Sequence, residues 1–158
     1  MTDTKDNPNK YPLPPLLTVG ILIACWLLDR YLPLGWEPED VSNFMRGSGW
    51  LLIACAVLLD IWTFLTFRKH NANIMPHRAA TKLLMSGPFQ HSRNPIYLAN
   101  VMLTAGFGFA LGSRWFLFGA AVLFLLLQEL AIKREEKHMA ANFGAQWADY
   151  TKSVRRWA

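Results

Sequence analysis

Chemistry-bearing side chains gather in two short stretches. The first, His91-Ser92-Arg93-Asn94-Pro95-Ile96-Tyr97, closes a polar loop punctuated by glycine and proline. The second, Lys133-Arg134-Glu135-Glu136-Lys137, follows a long apolar run. Proline in a first helical turn leaves the helix start open, and helix N-termini attract anions. Arg93 there suits a carboxylate or phosphate; Arg93 and Tyr97 equally suit the anchoring of a span at the interface. In the second stretch, neighbouring helical residues point about 100° apart. Glu135 and Glu136 therefore cannot share one small site: one can face a pocket while the other pairs with Lys or Arg. A carboxylate suits the two hydroxyls of a ribose, or a cationic amine. The alternative is a solvated charge run.

Other residues carry weaker signals. Gly106-Phe107-Gly108 permits close approach of a ligand or of another helix. Asp60 is an acid within an apolar run, which reads either as a functional group or as a hydrogen bond facing a neighbouring helix. His70, His77, His91 and His138 form no metal-ligand spacing, so no metal site is expected. Cys25 and Cys55 both lie in apolar runs and read as packing residues.

The elements that position these residues follow from composition. More than half the chain is apolar (53%), so the charges cluster between apolar runs and membrane spans are expected. The pattern predicts an all-α integral membrane domain over residues 1–158. Its spans fall at about 16–32, 50–67, 96–111 and 115–131, after an N-terminal tail over 1–13. Residues 35–49 read as a short loop. Ser113-Arg114 is a tight turn, so the last two spans form an antiparallel hairpin. Beyond Lys133, residues Met139, Phe143, Trp147, Tyr150 and Val154 share one helical face, opposite Lys137, Asp149 and Lys152. That pattern predicts an amphipathic helix lying on the membrane or capping a pocket.

The N-terminal segment, the 68–95 loop and the tail hold 13 of the 16 Lys and Arg residues. Four spans put all three on one side, and the positive-inside rule makes that side cytoplasmic, termini included. The expected location is a bacterial inner membrane. These basic residues flank apolar runs, so lipid is the expected partner and nucleic acid is not. The sequence leaves the oligomeric state open.

Two ordered motifs carry a family resemblance. Leu83-Leu84-Met85-Ser86-Gly87-Pro88-Phe89 with Ser92-Arg93-Asn94-Pro95-Ile96-Tyr97 is the first. Arg134-Glu135-Glu136 with Phe143-Gly144-x-x-Trp147-x-x-Tyr150 is the second. Together, over about residues 68–157, they resemble the superfamily of isoprenylcysteine carboxyl methyltransferases and phospholipid methyltransferases, integral membrane enzymes. The resemblance implies that residues 68–157 form a methyltransferase core. It implies an S-adenosylmethionine pocket on the cytoplasmic side, closed by the C-terminal helix. Contacts would fall on Thr81, Lys82, Leu83, Leu84, Phe89, Asn94, Pro95, Ile96, Tyr97, Gly106, Gly108 and Glu135. Arg93 and Asn94 would hold the methionine end and Glu135 the ribose. Asp60, Glu129, Glu136 and His91 are the candidates to orient or deprotonate the methyl acceptor, and Arg93 counts as catalytic through its hold on the cofactor. That acceptor would be a lipophilic or small carboxylate, thiol, amine or phospholipid headgroup. Two positions depart from the eukaryotic prenylcysteine enzymes, which carry His where Asn94 stands and a substrate-contacting Arg where this chain has Ala131. Two other functions stay open. One is a four-span proton-coupled transporter using Asp60 and Glu129. The other is a reductase-like relative using a nicotinamide cofactor.

Overall fold

The computed structural model describes residues 13–34, 36, 42–71 and 82–158, and these are helical with short connections. Thr81 and the N-terminal tail through residue 12 lie outside them. Helix α1 spans Leu13–Tyr31, α2 Asn43–Lys69, α3 Pro95–Leu111, α4 Arg114–Leu126 and α5 Lys133–Ser153. A 3-10 turn occupies Gly87–Gln90, and a π-helical segment, Leu127–Ile132, joins α4 to α5 without a break.

Three of these helical stretches are long and apolar enough to cross a membrane: Leu13–Tyr31, Asn43–Lys69 and the continuous Arg114–Ser153. Helix α3 is apolar and 17 residues long, about 25 Å, at the short end of the spanning range. The apolar part of the last stretch ends at Ile132. Exposed side chains on the first two helices, such as Leu16, Ile23 and Trp26, then Leu51, Leu58 and Ile61, are those of lipid-facing surfaces.

Each helix starts and stops for a local reason. Pro14 and Pro15 occupy the first turn of α1, where a missing N–H costs nothing. Ser42 caps α2 by accepting from the Met45 N–H at 3.2 Å. The cap corrects the expected start of the second span, since Asn43–Gly49 is helical and not loop. Gly49 is also needed in the helix for packing. A β-carbon at Gly106 would stand 2.7 Å from Ile53 Cγ1 and 3.1 Å from the Gly49 carbonyl, so α2 and α3 meet backbone to backbone. Gly112, in the left-handed region at φ 69°, ends α3, and Arg114 opens α4, giving the expected hairpin.

The helices pack in the order α1, α4, α3, α2. Antiparallel succession brings the start of α1, the end of α2, the start of α3 and all of α5 to one end of the bundle. At the other end, Trp115 Nε1 donates to the Leu32 carbonyl (2.7 Å), and the Arg114 guanidinium lies over the Trp36 ring. Burial in α5 follows its amphipathic pattern: Tyr150 is buried and Lys137, Asp149 and Lys152 are exposed. The helix does not run straight. It bends at Gly144 (φ 46°, ψ −115°), a conformation open to glycine.

Candidate functional site

The start of α3 and the start of α5 meet at the basic end of the bundle. Tyr97 is buried one turn into α3, and its hydroxyl donates to Glu135 Oε1 at 2.5 Å. Glu135 lies past the apolar segment, and burial pushes its carboxyl up to about 7, against the opposing pull of the Tyr97 hydrogen bond. Near neutral pH this carboxyl is therefore divided between its charged and neutral forms. Beneath the pair lie Leu123, Leu127, Ala131 and Ile132, all fully buried.

Glu136 points elsewhere, as the angular step between helical neighbours requires. It accepts from Arg156 Nε (3.0 Å) and Nη2 (2.6 Å), a bidentate pair, and faces Arg93 Nη1 at 3.3 Å. The hydrogen bonds to Glu136 hold the Arg156 guanidinium above its usual pKa. Arg93 also lies over the Trp147 ring, 5.6 Å from its centroid. Its Nε is buried and has no hydrogen-bond partner.

The C-terminal residues after α5 fold back as a strap across this cluster. The Arg155 carbonyl accepts from the Arg93 N–H (3.1 Å), and the Arg156 carbonyl accepts from Asn94 Nδ2 (2.9 Å). Trp157 stacks on Phe124 at 4.5 Å and donates to Gln128 Oε1. Tyr150 donates to the Phe89 carbonyl (2.6 Å), tying α5 to the 3-10 turn. Burial raises the Tyr150 hydroxyl to about 12, although Arg93 pulls the other way, so it stays a donor at neutral pH. Arg156, Trp157 and Gln128 were not expected from sequence. The only available signal was a basic-aromatic triplet, Arg155-Arg156-Trp157, beyond the end of the amphipathic pattern.

The sequence-derived residues divide by location. Arg93, Asn94, Pro95, Ile96, Tyr97, Glu135 and Glu136 come together. Phe89 is half-buried in the adjoining turn, edge-on to Phe67 at 5.4 Å, and Leu84 is buried just before that turn. Leu83 is half-buried, while Lys82 is exposed and donates to the His70 carbonyl. His91 is exposed with its ring 6.1 Å from Trp62. Gly106 and Gly108 lie roughly 14–16 Å along α3 from Tyr97, where they pack against Ile53 and Leu117. Asp60 sits within α2, and its Oδ1 is buried without a hydrogen-bond partner. Glu129 pairs with Lys133 on the surface at 2.6 Å. Among the described residues, no three His, Cys, Asp or Glu side chains converge as metal ligands.

This is a helical membrane fold with a polar cluster at one end. Residues 44–146 match the phospholipid methyltransferase family model, and the chain belongs to that family. It is also similar to the cobalt-zinc-cadmium resistance protein CzcN of Cupriavidus metallidurans strain CH34, at 25% identity over 119 residues. That match covers 74% of this chain, which spans about half (50%) of the relative's length. No solved structure matches the chain.

Proposed function

We propose that the chain is an S-adenosylmethionine-dependent methyltransferase working where the basic end of the bundle meets the membrane surface. The observation that carries this reading is the half-buried Glu135, held by Tyr97 and next in sequence to the Glu136 that pairs with Arg93, in a chain of the phospholipid methyltransferase family. The residues fit the cofactor. Arg93 Nε is a buried donor lacking an acceptor, which suits a carboxylate. Glu135 suits ribose hydroxyls, and the aromatic faces of Phe89 and Tyr97 suit adenine or a sulfonium. When bound, S-adenosylmethionine supplies a methyl group already activated by its sulfonium. The chain's own work is then alignment and the exclusion of water. Asn94 stiffens the Arg93 segment through its bond to the strap, and Glu136 fixes the guanidinium of Arg93. A carboxylate or thiolate acceptor needs no base; an ammonium or hydroxyl acceptor does. The acceptor is lipophilic or small and reaches the site from the bilayer side. The positive-inside rule orients the basic end, with both termini, toward the cytoplasm.

Calorimetric titration of the purified chain with S-adenosylmethionine and with its demethylated product tests this. Wild type binds, Glu135→Ala does not, and Asp60→Ala does. A folded wild type that binds neither compound overturns the reading.

A further inference from the structure

A second feature lies at the same end of the bundle, on the outer side of α2. A cavity of about 280 Å³ opens between the last two turns of α2 and the 3-10 turn. Its lining changes character along its length. Trp62 and Leu65, both exposed, form an apolar wall; Lys69, His70 and Ser86 form the polar end. The step from Trp62 to Lys69 is roughly 10 Å along the helix axis. An indole at that level is a usual marker of the membrane–water boundary.

The polar end is built. His70 Nδ1 lies 2.9 Å from the Thr66 carbonyl, which can only accept, so that nitrogen carries the proton. Nε2 is then turned to Ser86 Oγ, at 3.3 Å. Lys82 Nζ caps the His70 carbonyl at 3.1 Å and offsets the partial negative charge of the α2 C-terminus. The floor is fixed by Gly87 at φ +62°, where a β-carbon would stand 2.6 Å from Thr66 Oγ1. The charge is one-sided. No Asp or Glu is among the cavity's lining residues, while Lys69 lines the polar end and Lys82 reaches over it to the His70 carbonyl.

We propose that this groove seats one anionic phospholipid, its phosphate on Lys69 and on the Ser86 hydroxyl, which turns its single proton from His70 Nε2 to the phosphate, and one acyl chain along Trp62 and Leu65. None of the groove's lining residues is an acid that could meet the cation of a choline or ethanolamine headgroup, so a net negative lipid is selected. Bound lipid would also brace the 3-10 turn, which carries Phe89. The site does not depend on the methyl-transfer reading.

Native mass spectrometry of the full chain released from micelles tests the proposal. The micelles contain equal phosphatidylglycerol and phosphatidylcholine of matched chains. Wild type retains one phosphatidylglycerol in preference to phosphatidylcholine. Lys69→Ala lowers that retention about fivefold, the effect of one basic residue at a lipid surface. Adding Ser86→Ala lowers it further, and Lys137→Ala on exposed α5 leaves it unchanged. Free glycerophosphate does not displace the lipid. Equal retention of the two lipids, equal loss in Lys137→Ala, or undiminished retention in Lys69→Ala/Ser86→Ala overturns the proposal. So does displacement by glycerophosphate, which would mark a plain phosphate site.

Discussion

Glu136 is one acid shared by two arginines, and removing it should cost far more than removing either partner's claim on it. The Glu136 side chain is 17% exposed, Arg93 13% and Arg156 33%. Arg156→Ala deletes a bidentate pair but leaves Glu136 with Arg93 at 3.3 Å. With Arg156 a third exposed, that loss is about 1–2 kcal/mol. Glu136→Ala deletes both pairs and leaves the more buried Arg93 guanidinium, whose Nε already lacks a partner, with no counterion. An orphaned buried charge of that kind costs about 3–4 kcal/mol. For a chain of this length, each kcal/mol lowers Tm by about 2–4 °C. Arg156→Ala should therefore lower Tm by about 2–8 °C and Glu136→Ala by about 6–16 °C. Tryptophan fluorescence during thermal unfolding in detergent reads both. The double variant should lie close to Glu136→Ala alone, because Arg156 has lost its partner already. If Arg156→Ala is as damaging as Glu136→Ala, or if the two effects simply add, Glu136 is not the shared centre of this cluster.

Two further predictions concern Glu135 and the α2–α3 contact. The Glu135 carboxyl is raised in the folded state from its ordinary 4.5 to about 7, so the folded chain holds the extra proton between those values. Its contribution to stability therefore falls as pH rises from about 4.5 to about 7 and is constant above that. Glu135→Gln should flatten the stability–pH profile in that window, and an unchanged slope would contradict the assignment. Gly106→Val should destabilise the bundle by about 1–3 kcal/mol, since its β-carbon meets Ile53 and the Gly49 carbonyl. Thermal unfolding at neutral pH checks it, and a neutral outcome would mean that α2 and α3 do not touch there.

Much of the bundle was legible because its cause is local. Apolar runs located the spans, Gly112-Ser113-Arg114 gave the hairpin, and the three-four spacing of Met139 to Tyr150 gave the face of α5. The divergence of Glu135 and Glu136 followed from helical geometry alone. The start of α2 was not legible, because Arg46, Gly47, Ser48 and Gly49 read as a polar, glycine-rich loop. Helix formation there depends on the Ser42 cap and on α3, 57 residues further on at Gly106. The π segment was hidden for a different reason: Leu127–Ile132 is as apolar as the helix it continues. The strap was least legible of all. The Arg156 carbonyl reaches Asn94 across 62 positions of sequence, and no local pattern encodes that contact.

Methyl transfer itself tests the central claim most directly. The purified chain in lipid nanodiscs is given S-adenosylmethionine labelled on its methyl group, with membrane lipids and small thiols, amines and carboxylates as acceptors. Wild type should move label into at least one acceptor class. Glu135→Ala should reduce transfer at limiting cofactor by about ten- to hundredfold, the loss of one charged hydrogen bond to a ligand. His91→Ala, on the exposed edge of the 3-10 turn, should change it least. A folded wild type that transfers no label to any class, or a Glu135→Ala variant as active as wild type, would contradict the account.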